Sequence, residues 1–154
     1  MNKTISIIQP WATLVALNEK RIETRSWATK YRGELYIHAS KKIDIPVCRA
    51  IPFLKVLMKY EIAITNDLPT GAIIAKCNLV DCVKIIGNIE NSIKLIQADL
   101  ENGKKVEGNE LAFGDYTIGR YVWMLENIQM LDKPIPAKGK LGLWDCSNYF
   151  QEGI

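Results

Sequence analysis

Residues 71–86 carry a β-branched run, with Ile73, Ile74, Val80, Val83 and Ile85 spread over both strand faces. Branched side chains lose rotamer freedom in a helix and fit a pleated surface, so this run predicts a strand. It is too long to stay flat in a small sheet, which makes a bent, barrel-like strand the expectation. Anything else in the chain has to fit around that element.

Shorter segments supply its partners. Residues 4–8 alternate, with Ile5 and Ile7 on one side. Residues 31–40 place Tyr31, Leu35, Ile37 and Ala39 on one face and Arg32, Glu34, Tyr36 and His38 on the other. Residues 119–131 alternate around Tyr121, Trp123 and Leu125, and the prolines at 134 and 136 are expected to break that strand. Residues 138–146 close the chain, with Gly139 and Gly142 permitting curvature. Helical spacing marks residues 10–17 behind Pro10, residues 46–60 with a kink or split at Pro52, and residues 89–100 through Ile89, Ile93, Ile96 and Leu100. The pattern predicts a small α+β protein around a curved, mostly antiparallel barrel-like sheet with peripheral helices. A doubly wound parallel sheet is the alternative, and the chain lacks a phosphate-loop glycine signature for it.

Residues 18–27 concentrate charge, with Lys20, Arg21, Glu23 and Arg25 directly after the first helix. Asn18 tolerates the left-handed conformation that ends a helix. A strand from there would put Arg21, Glu23, Arg25 and Trp27 on one face and Lys20, Ile22 and Thr24 on the other. One reading is a solvated edge strand with paired charges, and the other is a chemically active face.

The length of 154 residues suits a single domain over 1–154. No apolar run approaches a membrane span and no signal peptide precedes the first strand, so a cytoplasmic protein without membrane contact is expected. Four scattered cysteines and one histidine imply neither a metal site nor any cofactor, and free thiols are expected. Charge is uneven: residues 1–60 hold 11 Lys and Arg against 4 acids, the remainder 9 against 13. That asymmetry suggests a basic face for a polyanion.

Single-stranded RNA recognition combines stacking rings with phosphate-binding cations. Trp11, Trp27 and Tyr36 are candidate rings, and Arg25, Arg32, Arg120, Lys138 and Lys140 candidate cations, while Trp123 and Trp144 read as core. His38 is a general-base candidate or a satisfied structural residue, with Arg25 or Glu23 as its expected cross-strand neighbour. Lys20 with Glu23 could act as nucleophile and proton relay, or simply form a salt bridge.

Several motifs then converge. Gln9-Pro10-Trp11-Ala12, Lys20-x-x-Glu23-x-Arg25, Tyr31-Arg32-Gly33, Ile37-His38-Ala39, Phe113-Gly114-Asp115-Tyr116, Gly119-Arg120-Tyr121-Val122-Trp123 and Pro136-x-Lys138-Gly139-Lys140-x-Gly142-Leu143-Trp144 resemble the activating signal cointegrator homology (ASCH) family. The likeness runs nearly end to end. It implies a PUA-like fold, a small curved β-barrel with peripheral helices, and a cleft around the Lys20-x-x-Glu23-x-Arg25 block. RNA or a modified nucleoside or nucleotide is the implied ligand. Some small members are amidohydrolases of acylated cytidine-type nucleosides, using a lysine that matches Lys20, a threonine and a glutamate. Here Glu23 stands at the threonine position, and Asn18 replaces the usual glycine.

Overall fold

The long β-branched run forms the longest strand of an eight-stranded mixed sheet. A computed structural model describes residues 1–64 and 66–150. In chain order the elements are β1 (Lys3–Gln9), α1 (Trp11–Ala16), β2 (Ile22–Arg25), β3 (Gly33–Ile43), α2 (Ile45–Cys48), α3 (Ile51–Lys59), β4 (Ala72–Glu90), β5 (Leu95–Leu100), β6 (Lys105–Val106), α4 (Asn109–Ala112), β7 (Tyr121–Pro136) and β8 (Leu143–Asp145), with a final 3₁₀ turn at Ser147–Phe150. The strand order is β2-β7-β4-β3-β1-β8, with β5 on β4 and β6 on β5. The class is α+β, as expected. No helix among the described residues is long and apolar enough to cross a membrane.

The chain divides into two compact units, and β4 and β7 each run from one into the other. Unit 1 holds residues 1–19, 34–78 and the stretch from Asn127 onward; unit 2 holds residues 20–33 and 79–126.

In unit 1, β1 lies between β3 and β8. It pairs parallel with β3, Ser6 opposite His38 and Ile7 opposite Ala39, and antiparallel with β8, Thr4 opposite Trp144. Within the mostly antiparallel sheet that was expected this pair is parallel, because a strand re-entering beside β1 after a long excursion has no hairpin to set its direction. Ile5, Ile7, Leu35, Ile37 and Ala39 are buried, so the alternation read from the sequence does mark the inward face. Asp44 caps α2 by accepting from the Val47 N–H at 3.2 Å. The helical segment splits at Arg49 and Ala50, which lets Pro52 sit in the first turn of α3, where its missing N–H leaves no gap.

In unit 2, β2 pairs antiparallel with β7, Glu23 opposite Trp123 and Arg25 opposite Tyr121. Ile22, Val83, Ile85, Ala98, Leu100, Val106, Leu111, Tyr116 and Val122 form its core. The helix expected at residues 89–100 is instead the end of β4, a turn and β5. Asn91 Oδ1 accepts from the Ile93 and Lys94 N–H groups and reverses the chain. Ile93 is left 88% exposed while Ala98 and Leu100 are buried, a two-residue period that the helical spacing of four apolar residues disguised. The break expected at residues 132–136 is also absent, since β7 continues to Pro136. Proline ends a strand only where a ladder bond needs its N–H, and this half of β7 is largely exposed.

Candidate functional site

The charged block follows a left-handed Asn18, φ 62°, which turns the chain out of α1. Lys20 precedes β2 and escapes its alternation, so the expected two-face sorting fails for it. Its side chain is fully buried, and its ammonium donates to the Ile22 carbonyl and to Glu23 Oε1 at 3.2 Å. The other Glu23 oxygen, Oε2, lies 3.2 Å from Arg25 Nη2. Glu23 and Thr24 are buried as well, so the block is not a solvated edge. It is an internal Lys–Glu–Arg chain in which one carboxylate is shared by two cations.

Two further groups of unit 2, Glu110 and Tyr116, belong to this neighbourhood and were not among the site residues expected from the sequence. The Arg21 N–H donates to Glu110 Oε2 at 2.6 Å, and Glu110 Oε1 is buried with no partner among the described residues. Burial pushes the Glu110 carboxyl above the usual carboxylate range, against the opposing pull of that N–H and of Lys20. Burial likewise raises the Tyr116 hydroxyl, with Glu110 and Glu23 adding to the effect. Glu110 carried no sequence signal, and Tyr116 stood in the Phe113-Gly114-Asp115-Tyr116 motif without a role, because both come to the block from a distant short helix and loop.

The other unit 2 candidates are tied down. Arg32 Nη1 donates to the Thr29 and Tyr31 carbonyls and Nη2 lies 3.5 Å from Asp81. Arg120 donates to the Asp115 and Thr24 carbonyls and faces the Asp115 carboxylate at 3.5 Å. Trp27 meets Trp123 edge-on with centroids 4.8 Å apart, and its carbonyl accepts from the Trp123 indole N–H at 3.3 Å.

Unit 1 holds the remaining candidates. Trp11 packs edge-on against Phe53 with centroids 5.6 Å apart, joining α1 to α3. His38, Lys138 and Lys140 line one pocket of about 420 Å³, together with Ser6, Ser40, Lys41 and Gly139. His38 is buried and its partners are not Arg25 or Glu23. Its Nε2 lies 2.8 Å from the Ala137 carbonyl, which only accepts, so Nε2 carries the proton. Its Nδ1 therefore accepts from Ser6 Oγ at 3.0 Å, and Ser6 Oγ accepts in turn from the Trp144 indole N–H at 3.1 Å. Burial pushes the imidazole below its ordinary value, partly offset by the Ala137 bond. The ring is a neutral, saturated floor. A Cβ on Gly139 would stand 2.7 Å from His38 Cε1 and 2.8 Å from Ser6 Oγ, so only glycine lets the loop lie this close to the floor.

No aspartate or glutamate lines this pocket, and Lys41, Lys138 and Lys140 form no ion pair among the described residues. A larger pocket in unit 1, about 500 Å³, has mainly apolar walls and includes Asp67 and Asp132, the wrong sign for an anion. All four cysteines are free thiols, and burial raises Cys77 to about 12.

The model of the ASCH domain family matches residues 5–134. Over 151 residues the chain is 26% identical to the human protein "Activating signal cointegrator 1", a match covering 97% of this chain and 23% of that protein. The mouse protein of the same name matches equally. The chain thus spans under a quarter of the length of these relatives.

Proposed function

This chain belongs to the ASCH domain family, and from that premise we propose that it is an RNA-binding module. The observation that supports the reading is where uncommitted positive charge lies. Lys20, Arg25, Arg32 and Arg120 each face a carboxylate of their own unit. Lys41, Lys138 and Lys140 converge on one pocket without a counter-charge in its lining. Unpaired cations gathered in a concavity attract a polyanion and gain affinity by releasing its counterions. In this reading the lysines hold phosphates, and the Lys20–Glu23–Arg25 chain orders unit 2.

Fluorescence anisotropy with a single-stranded RNA oligomer at 50 and 200 mM salt tests it. Three contacted phosphates on a single strand give a slope near −2, so affinity should fall about twentyfold over that range. No binding at low salt, or affinity independent of salt, would overturn the proposal.

A second reading draws on the 3.2 Å contact between Lys20 and Glu23. In it the chain is an amidohydrolase of acylated cytidine-type nucleosides, with Lys20 as nucleophile or base. We rank it below binding because Lys20 Nζ is fully buried and already donates to two acceptors. Release of free acid from an acylated cytidine by the wild-type protein would reverse that ranking.

A further inference from the structure

We propose that the Lys41–Lys138–Lys140 pocket is a seat for a terminal phosphomonoester, so that the protein reads the phosphorylated end of a strand. The inference rests on the RNA-binding reading and refines it.

Charge is the first argument. A phosphodiester inside a strand carries one negative charge, whereas a terminal monoester carries about −1.5 to −2 at pH 7. Three lysines with no carboxylate in the lining are mismatched to a single charge and suited to a dianion.

The second argument is closure. The floor is the His38 ring, held on both nitrogens, and Gly139 sits so tightly over it and Ser6 that even a methyl group would collide. That packed floor leaves no way through the protein, so a ligand enters and leaves by the solvent side alone. An end needs only an entrance. A volume of about 420 Å³ also falls in the range of small-ligand sites, enough for one terminal nucleotide.

The third argument concerns donors. A monoester presents three terminal oxygens, one more than the unbridged oxygens of a diester. The lysines of the lining come from two segments, Lys138 and Lys140 from the loop before β8 and Lys41 from β3, and each carries an ammonium donor. Ser40 Oγ, in the same lining, is buried and has no hydrogen-bond partner among the described residues. His38 cannot add a donor, since its one N–H is spent on Ala137.

The test uses one RNA sequence in three forms, with a 5′-phosphate, with a 3′-phosphate and with hydroxyls at both ends, titrated at 100 mM salt. One phosphorylated form should bind at least tenfold more tightly than the hydroxyl form, and the two arms show which end is read. The preference should shrink as pH falls through about 6, where the monoester loses its second charge. Lys41→Gln with Lys140→Gln should abolish it, while Lys104→Gln with Lys105→Gln, the same charge change in unit 2, should leave it intact. Circular dichroism confirms that each variant is folded. Equal binding of all three RNAs overturns the inference and leaves RNA binding standing. A preference that survives the pocket variant overturns the assignment to this pocket. Failure of every RNA to bind removes the underlying reading.

Discussion

Replacing Lys20 tests whether the block is a structural keystone. Lys20 is fully buried, and its ammonium serves both the Ile22 carbonyl and Glu23. Removing one member of a buried ion pair typically costs 3–5 kcal/mol, because the surviving charge is left desolvated. Glu23 keeps Arg25 at 3.2 Å, so the charge loss here should fall at or just below the low end of that range, about 2–3 kcal/mol. Lys20→Ala also empties the volume of the four-carbon stem, and truncating a buried long side chain adds about 1–2 kcal/mol more. The total is about 4 kcal/mol, a large part of the usual stability of a domain. Lys20→Met keeps the stem and isolates the charge part.

Urea unfolding of Lys20→Ala, Lys20→Met, Glu23→Gln and the Lys20→Met/Glu23→Gln double variant gives the answer as a cycle. Neutralising Glu23 should rescue part of the Lys20→Met loss, with a coupling above about 1 kcal/mol. Thermal midpoints should follow at about 2–4 °C per kcal/mol. A Lys20→Ala variant within about 1 kcal/mol of the parent, or no coupling, would refute the reasoning. In that case Lys20 would be free for chemistry and the hydrolase reading would gain ground.

Two further outcomes follow from buried groups. Burial holds the Glu110 carboxyl above its ordinary range, so the folded state binds a proton more tightly than the unfolded chain and stability falls as pH rises through the carboxylate range. Glu110→Gln should therefore gain on the parent between pH 4 and pH 7 in urea titrations, and a difference that is flat or shrinks with pH would rule burial out as the cause. Gly139→Ala drives a methyl group into His38 and Ser6, neither of which can retreat without breaking the hydrogen-bonded chain to Trp144. Overpacking of this kind costs about 1–3 kcal/mol, which differential scanning calorimetry would register, and an unchanged midpoint would show that the loop simply lifts away.

How far the sequence discloses this molecule depends on how local each decision is. The long strand, the split at Pro52 and the left-handed Asn18 rest on a few neighbouring residues, and all were legible. The segment at residues 89–100 was not, because isoleucines at 89, 93 and 96 match a helical face as well as a strand. An Asn91 turn and pairing to β4 decide between the two, Ile89 opposite Gln97 and Ile85 opposite Leu100. The parallel β1–β3 register is decided in the same non-local way. Lysine is expected at the surface by default, and nothing near Lys20 announces that its ammonium turns inward.

Composition located the basic excess in the first sixty residues, and motif spacing nominated Arg25, Arg32 and Arg120. In the folded chain these are matched to Glu23, Asp81 and Asp115; the first and last are near neighbours in sequence, and only Asp81 is brought to its arginine from a distant strand. Lys138 and Lys140 were visible as an alternating pair, but Lys41 reaches them from the end of β3, and only the parallel placement of β3 beside β1 brings its strand to the pocket that Ser6 floors. A cation already satisfied within the protein must give up a partner before it can hold a phosphate, so its net gain on binding is small. An unsatisfied cation gives up only water and counterions. Other lysines also lack an ion pair, but Lys41, Lys138 and Lys140 share one pocket whose lining holds no acid, and that convergence of unsatisfied cations marks the candidate phosphate site in this chain.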